Sequence, residues 1–414
     1  MFGLIKFVSK YKENFLLASG HFATDICQGS VSAALAVMFA HNVLSSNIEV
    51  SYLVLASCLV SSIIQPIIGW LSDKKPRPYL MALGMFVAAF GLMFIGFIKD
   101  FYLLFVLITC SGIGVAIFHP QAGKMSNCVS AQKKGLGMSI FSLGGNFGFA
   151  AGPAVISLST LLFGLPGIIA VGIPALIMII VYAIRNKTYK EYAERELAEQ
   201  KTKEYKEKEY IGGFIILMLA VFARATILIG LTTFIPLYFM SQFNLSAQEA
   251  NFNLTIIALC AAIASIAGGI LADKYGFKFI FALSSTILIP FMALFCSIEQ
   301  SAVWATIVLI PTSLALYGTL SVSMVLGQKF LCRHVGFASG ITIGLGISFG
   351  GLTSPLLGSI GDTYGLNYTM WTLFFVSILT CILAWLTPNI DKLRKEEALN
   401  HAKTKEQVTN YRTK

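Results

Sequence analysis

Long apolar runs separated by short polar connections extend along the whole chain. Hydropathy averaged over windows of about 19 residues identifies twelve such runs. Each is long enough to cross a hydrocarbon core of about 30 Å as a helix that rises about 1.5 Å per residue. The runs are 14–41, 50–71, 78–98, 100–118, 135–160, 164–184, 211–240, 248–271, 277–298, 301–326, 335–360 and 366–387. The pattern predicts an all-α membrane protein with twelve transmembrane helices in two sets of six.

A charged stretch separates the two sets and divides the chain into domains. Residues 1–184 form the predicted N-terminal six-helix half, and residues 211–388 form the C-terminal half. Between them, residues 185–210 carry Glu and Lys often three or four positions apart, which is typical of a solvated linker that can be helical. Residues 389–414 form a basic tail.

Basic residues are concentrated in alternate connections. The N-terminus, the linker and the tail belong to the basic set, whereas the intervening connections contain Lys99 as their single Lys or Arg. Connections rich in Lys and Arg stay on the cytoplasmic side of a membrane. Both termini are therefore predicted to be cytoplasmic, in a multi-pass protein of the cell (inner) membrane.

The composition agrees with this class and excludes others. Hydrophobic residues make up 56% of the chain and charged residues 12%, with a mean hydropathy of +0.76, which excludes a soluble protein. The net charge of +10 is scattered over the connections, so no nucleic-acid partner is predicted. The eight cysteines form no CxxC motif, so neither a disulfide, a metal site nor a cofactor is predicted.

The first apolar run carries ionisable residues that a membrane helix normally lacks. His21, Asp25, Gln28 and Ser32 follow at intervals of four, three and four residues, which places them on one stripe of a helix. A carboxylate near the bilayer centre costs about 2.5–3.5 kcal/mol on insertion scales, so such groups normally face a bundle interior or a water-filled path. We expect the stripe to face a polar cavity, with Asp25 and His21 in proton coupling and Gln28 in substrate binding. His21 alternatively only donates a hydrogen bond to the carboxylate.

Two stretches recur in both halves. GWLSDKKPR from Gly69 matches GILADKYGFK from Gly269, and GGNFGFAAGP from Gly144 matches GISFGGLTSP from Gly346. Such duplication is found in many secondary transporters, and it makes a functional monomer plausible because one chain supplies both halves. The first pair predicts gating loops, with simple loop capping as the alternative, and the second pair predicts bent helices. The candidates are, for gating, Gly69, Asp73, Arg77, Gly269, Asp273 and Lys278, and, for bending, Gly148, Pro153, Gly350 and Pro355.

Arg224 is, after Asp25, the second charged residue that is energetically costly to place in a membrane, because it lies well inside the seventh run. The repeat places it beside the position of Asp25, so the two are predicted to face each other between the halves. A buried ion pair separates only if a proton on Asp25 or an anionic substrate on Arg224 replaces the lost partner. A static structural pair is the alternative. Asn146 and His119 are further substrate-binding candidates, with interhelical hydrogen bonding and a helix-end role as their alternatives.

The loops at Gly69 and Gly269 resemble the G-x-x-x-D-[KR] signature of the major facilitator superfamily. Within it, the chain resembles the fosmidomycin-resistance type of efflux protein over nearly its whole length. Two departures are Pro76, where the family usually has Gly, and SVSAALA after Gly29, where prolines are expected. The motifs that carry the resemblance are His21-x-x-x-Asp25-x-x-x-Gly29, FHP at 118–120, SLGGNFGFAAGP from Ser142, Arg224 followed by LTTFIPLYF, and the segment GQKFLCRHVGFASGITIGLGISFGGLTSPLLG from Gly327.

The resemblance implies a transporter whose halves rock about a midplane cavity and export a small drug-like, fosmidomycin-type compound in exchange for protons. Its expected partners are the substrate, protons and the lipid bilayer. The motifs do not give the direction of transport, so a proton symporter that imports an organic anion or a sugar is the alternative. An enzyme is not predicted, since no HExxH, GxSxG or paired-Cys motif occurs. A non-transporting receptor is a remote alternative.

Overall fold

The structure is a computed structural model, and it describes residues 11–75, 77–130, 134–200, 209–332, 338 and 341–396. Within these ranges the backbone forms helices joined by short connections. The helices are α1 Lys12–Ala40, α2 Asn47–Lys74, α3 Tyr79–Met93, α4 Phe101–Val129, α5 Lys134–Phe163, α6 Ile173–Gln200, α7 Ile211–Phe243, α8 Ala247–Tyr275, α9 Phe277–Cys296, α10 Ala302–Tyr317, α11 Leu320–Phe330, α12 Gly346–Tyr364 and α13 Leu366–Leu386. Tight 3-10 turns span Ile95–Phe97 and Leu165–Gly172, and a π-helical turn, Ile341–Leu345, leads into α12.

Ten helical segments among the described residues are long and apolar enough to cross a membrane. They confirm the prediction of a multi-pass, all-α membrane protein. The predicted runs all overlap helical residues, but the described apolar part of α2, Asn47–Val60, is shorter than a span. The count of twelve spans and the cytoplasmic placement of both termini therefore stay predictions.

The fourth helix continues beyond the end that the sequence predicts. The apolar run ends at residue 118, whereas α4 reaches Val129 with Pro120 inside it. Proline removes its own N–H from the helix, and membrane helices tolerate this because neighbouring groups satisfy the freed backbone. His119 consequently lies within α4, and its interpretation as a helix-end residue is wrong.

The tenth predicted run is divided into two helices. α10 ends at Tyr317, and α11 begins at Leu320. Gly268 of α8 lies so close to the carbonyl oxygen of Gly318 that a Cβ there would overlap it. The break thus occurs where the backbone of α8 closely approaches the chain, and it leaves Tyr317 as the last residue of α10.

In the first half, α1 and α5 pack through glycine. Gly144 and Gly148 of α5 lie directly against the backbones of Ala18 and Phe22 of α1, with no room for a Cβ. Small residues let membrane helices approach at backbone distance. This contact fixes the orientation of α1 and hence of its polar stripe.

The second half repeats this packing between α7 and α12. Gly346 of α12 lies against the side chain of Val221, and Gly350 lies against the carbonyl oxygen of Ala225, both on α7. The spacing of four residues on each helix is the same as in the first half. The shared arrangement supports the internal duplication.

Several contacts join the two halves at the end of the bundle where α2 begins and α12 ends. Asp362 of α12 accepts hydrogen bonds from the backbone N–H groups of Asn47 (2.8 Å) and Ile48 (3.0 Å), and from the side-chain amide of Asn47 (2.8 Å). It thereby caps the N-terminus of a helix in the opposite half. Further along, the Ser348 hydroxyl donates to the carbonyl oxygen of Cys58 (3.1 Å). In the predicted topology, the end of the bundle that contains Asn47 and Asp362 is the outer end.

The chain after α13 packs back onto the second half. Ile390 is fully buried, Lys329 Nζ lies 2.8 Å from Asp391 Oδ1, and the Arg394 guanidinium donates to the carbonyl oxygen of Lys329 (2.8 Å). The beginning of the predicted basic tail is therefore part of the packed structure. Residues 397–414 of that tail lie outside the described residues.

Candidate functional site

Asp25 of α1 lies between two histidines. His21 Nε2 is 3.2 Å from Asp25 Oδ2, and His119 Nε2 is 3.0 Å from Asp25 Oδ1. The His21 and Asp25 side chains are 12% and 11% exposed, whereas the His119 side chain is 24% exposed. The carboxylate is thus buried and partnered on both oxygens, and access to the cluster is greatest beside His119.

The ring of His21 is held rigidly from three directions. Its Nδ1 lies 2.9 Å from the carbonyl oxygen of Phe141. The ring stacks on the Phe141 ring, with 4.0 Å between centroids and an angle of 17° between planes. Gly145 lies against the imidazole edge, where a Cβ would collide with it. Phe141 and Gly145 of α5 therefore form a space that fits the His21 ring.

These contacts determine where protons can lie. A carbonyl oxygen can only accept, so His21 Nδ1 carries the hydrogen that it donates to Phe141. If His21 is neutral, its Nε2 is a lone-pair acceptor facing a carboxylate oxygen at 3.2 Å. Two acceptors at this distance attract each other only through a positive charge between them. The geometry is therefore a binding site for one cation, and a proton on either His21 Nε2 or Asp25 Oδ2 satisfies it.

His119 completes the cluster from α4, although it is 94 positions from Asp25 in the sequence. The two histidine rings meet edge to face, with 5.1 Å between centroids. The structure brings His119 to Asp25, and its predicted role in substrate binding stays a prediction. An ionisable residue inside an apolar helix is the sequence feature that could have found it, but the predicted apolar run ends one residue earlier.

Arg224 of α7 is buried, with 4% of the residue exposed. Within the described ranges its Nε and Nη1 atoms have no hydrogen-bond partner, and it makes no ion pair there. The predicted Asp25–Arg224 pair is therefore wrong for this conformation, because the two histidines occupy both oxygens of Asp25. Arg224 instead presents free donors in a buried environment.

The packing of the two halves explains this misassignment. Ala225 contacts Gly350 as Phe22 contacts Gly148. Counting back one residue on each helix places Arg224 at the position of His21, one turn away from that of Asp25. The duplicated fold thus puts a permanent cation in one half where the other half has a titratable one.

One hydroxyl group of α10 lies near Arg224 and a second lies one turn earlier on the same helix, and the sequence analysis missed both. Tyr317 lies close enough to Arg224 to interact with it electrostatically. Ser313 is four residues earlier on the same face of α10, and both side chains are buried with unpartnered hydroxyl oxygens. The spacing of four between polar residues in an apolar run is the sequence feature that indicates them.

A cavity of about 120 Å³ lies between the halves. Gln28 and Ser32 of α1 and Pro153 of α5 line it on one side, and Leu228 and Thr232 of α7 line it on the other. Only part of the predicted polar stripe of α1 therefore reaches a cavity at the interface of the halves, because His21 and Asp25 are not among the lining residues. Its lining is mainly apolar, with a few amide and hydroxyl groups, which is typical of a small-molecule site.

Asp25 and Arg224, the two charged residues inside apolar helices, lie at the same end of this cavity. Gln28 follows Asp25 by three positions, and Leu228 follows Arg224 by four, so each charged residue lies about one helical turn from the lining. Both lie on the N-terminal side of the lining residues of their own helix. Asn146 of α5 is half-buried and forms no side-chain hydrogen bond within the described part of the chain.

The residues predicted to gate are only partly described. Gly69 lies in the last turns of α2 and Arg77 lies in the connection to α3, both half-buried, while the side chain of Asp73 lies outside the described residues. In the second copy, Asp273 is exposed near the end of α8. Their gating role stays a prediction.

The remaining predicted residues fall inside helices. Gly269 belongs to α8, and Lys278 of α9 places its ammonium group 4.5 Å from the centre of the Trp385 ring. Pro153 lies within α5 and Pro355 within α12. Gly148 and Gly350 serve close helix packing, as described above, and the bending role of all four residues stays a prediction.

Comparison with known proteins decides the family. The model of the Major Facilitator Superfamily matches residues 17–344. The chain belongs to this superfamily. The resemblance stated from the sequence motifs is confirmed, and with it a multi-pass membrane protein of a transporter family.

Two curated relatives cover most of the chain. It is 28% identical over 344 residues to an uncharacterized MFS-type transporter, YfnC, of Bacillus subtilis (strain 168), a match that covers 81% of this chain and 83% of that protein. It is 24% identical over 379 residues to the fosmidomycin resistance protein of Escherichia coli (strain K12), covering 91% and 93%. The predicted similarity to the fosmidomycin-resistance type is confirmed.

Solved structures share the fold at lower sequence identity. A bacterial homologue of the human lysosomal transporter Spinster, inward-facing and unoccupied, has a TM-score of 0.73 at 14% identity, and the match covers 91% of this chain and 97% of that one. A mutant of the nucleoside transporter NupG has a TM-score of 0.71 at 14% identity, with coverages of 90% and 99%. These similarities show the superfamily fold.

Proposed function

We propose that the protein is a proton-coupled antiporter that exports small, drug-like compounds of the fosmidomycin type. The observation that carries the proposal is the position of Asp25 between two histidines, next to a cavity between the halves. The fixed Nδ1–H of His21 leaves one cation-binding position between His21 and Asp25. In a transporter, a buried position that holds one exchangeable proton is suited to couple a proton gradient to transport.

The C-terminal half supplies a positive charge, which complements an anionic substrate. Arg224 offers two unpartnered donors, and the hydroxyl groups of Tyr317 and Ser313 are also unsatisfied. Buried donors of this kind favour an oxyanion, which a guanidinium binds by charge-assisted hydrogen bonds. The proposed substrate is therefore anionic, and the similarity to the fosmidomycin resistance protein of Escherichia coli supports this class.

The proposed cycle is alternating access by two six-helix halves. The cavity of about 120 Å³ is smaller than the roughly 300–1,000 Å³ of sites for drug-sized ligands. Substrate entry therefore needs the halves to move apart. A proton that arrives from outside occupies the His21–Asp25 position and promotes substrate release, and its departure inside resets the cluster. The proposal includes twelve spans, cytoplasmic termini, a location in the cell membrane and a functional monomer.

Sealed proteoliposomes with a pH gradient test this proposal. We expect phosphonates to trigger proton movement through the wild type and through Asp100→Asn, which neutralises the carboxylate that caps the start of α4, about five helical turns before His119. Asp25→Asn should abolish the response, since it can no longer exchange the proton.

Transport by Asp25→Asn at the wild-type rate would contradict the coupling assignment. If no compound in a panel of phosphonates and other drugs triggered proton movement through the wild type, drug antiport would be contradicted. Uptake of an organic anion or a sugar along with protons, measured with the reversed gradient, would identify the symporter instead.

A further inference from the structure

His21, Asp25 and His119 have a property that proton exchange does not require. Each offers one ligand atom, and the three atoms lie within 4.8 Å of one another. We propose that this cluster, which we call the His–Asp–His site, binds a divalent transition-metal ion. The proposal departs from the sequence analysis, which predicted no metal site from the cysteines.

The three side chains already lie close together, and binding a metal requires their ligand atoms to converge on one point. Zinc binds imidazole nitrogen and carboxylate oxygen at about 2.0–2.2 Å in tetrahedral geometry, which puts neighbouring ligand atoms about 3.3–3.5 Å apart. The His21–Asp25 and His119–Asp25 contacts are 3.2 and 3.0 Å. These contacts are made to different oxygens of Asp25, and the three ligand atoms lie within 4.8 Å of one another, so the two imidazole nitrogens must draw closer together around one ion.

The surroundings of His21 are those of a metal ligand. Metal-binding histidines almost always donate their second ring N–H to a carbonyl or a carboxylate, which fixes the tautomer and the ring orientation. Here Nδ1 donates to the Phe141 carbonyl, Phe141 stacks on the ring, and Gly145 makes room for it. The Nε2 lone pair is thereby aimed at the centre of the cluster before any cation binds.

Access and charge also fit a cation. The greater exposure of His119 leaves one side of the site open to water, which supplies a fourth ligand. Two neutral imidazoles and one carboxylate give a site of charge −1 that a divalent ion converts to +1. Imidazole ligands favour zinc, cobalt or nickel over magnesium and calcium, which prefer all-oxygen sites.

Metal and proton compete in this scheme, because both need the His21 Nε2 lone pair and the Asp25 carboxylate. A bound metal ion occupies the position that the exchangeable proton needs, so it should block proton exchange. The metal proposal nevertheless does not rest on the proposed transport function. A protein that moves no phosphonate can still bind a metal at these three side chains.

Cobalt(II) titration of the purified, untagged full chain in detergent tests the proposal directly. Visible absorption reports tetrahedral cobalt, and it distinguishes nitrogen and oxygen ligands from cysteine thiolate ligands. We expect one cobalt per chain with no thiolate charge-transfer band, displaced by zinc. Asp25→Asn and His119→Gln should each weaken binding at least tenfold.

His41→Ala is the matched control. His41 follows α1, and among the described residues its ring bonds only to the Val37 carbonyl of its own helix (2.9 Å), so its removal should change affinity less than twofold. His119→Gln keeps a polar side chain on Asp25 and guards against a folding defect, which thermal unfolding would reveal. Absence of cobalt binding by the wild type, binding with thiolate bands, or equal binding by a folded His119→Gln variant would overturn the proposal.

Discussion

At the scale of single residues, Arg224 is a charged group where folding alone favours an apolar one. Two of its nitrogen atoms are buried without partners. Leaving a buried donor unsatisfied costs about 1–3 kcal/mol, and more for a charged group. Intramembrane charges kept at such a cost mark functional sites. Stability and transport should therefore respond to Arg224 in opposite directions.

Replacement of Arg224 by Met tests this opposition. We expect Arg224→Met to raise the free energy of unfolding in detergent by about 1–3 kcal/mol, because no unpaired donor remains buried, and to weaken binding of an anionic substrate more than tenfold. Thermal unfolding and equilibrium binding measure the two effects.

Arg185→Met is the control for that measurement, because the Arg185 guanidinium pairs with Glu13. It should lower stability, since Glu13 loses its partner, and it should leave substrate binding unchanged. A loss of stability in Arg224→Met comparable to that in Arg185→Met would show that Arg224 has a structural partner.

The site was predictable along one helix and not across helices. The interval of four residues between His21 and Asp25 places them together on α1, and the structure brings them into contact. His119 was not predictable as a partner of Asp25, because periodicity within one helix carries no information about which face of another helix it meets. Arg224 was assigned to the wrong partner for the same reason.

At the scale of helices, the α1–α5 contact sets the geometry of the site. Gly148 lies against the carbonyl oxygen of Phe22, and Gly145 lies against the His21 ring. A side chain at either position would push α5 away from α1 and move Phe141 from His21. The helices themselves were largely predictable from apolar runs, whereas the end of α4 was not, because Pro120 ends an apolar run without ending the helix.

Gly148→Ala should destabilise the protein by about 1–3 kcal/mol, the usual cost of overpacking in a dense interior. Its new Cβ would overlap backbone, which cannot yield as a side chain can. The measurement is thermal unfolding in detergent. Gly123→Ala is the matched control, since no described residue lies within 4 Å of a Cβ at that helical position, and there alanine should be neutral or stabilising by up to about 1 kcal/mol. Equal melting temperatures for the two variants would show that α1 and α5 are not held at backbone distance.

At the scale of the whole molecule, a contact joins the two halves at the predicted outer end of the bundle. It must break if this end opens. The Asp362 carboxylate of α12 accepts three hydrogen bonds from Asn47 and Ile48 at the start of α2. A carboxylate at a helix N-terminus both satisfies free N–H groups and complements the helix dipole. Because donor and acceptor lie in different halves, this cap stabilises the state that is closed at the predicted outer end, and it contributes nothing to the state that is open there.

Asp362→Ala should therefore shift the population toward the state open at this end. Loss of a helix cap costs about 0.5–2 kcal/mol, which corresponds to about a 2- to 30-fold change in the equilibrium between the two states. Spin labels at the exposed positions Tyr102 and Tyr368, near the starts of α4 and α13, report the change as a larger fraction of long distances by pulsed electron resonance.

Glu249→Ala is the matched control, because Glu249 caps α8 with Ser246 inside one half. It should lower stability without changing the distance distribution. An unchanged distribution in Asp362→Ala, or the same change in both variants, would show that the cap does not control opening of the outer end.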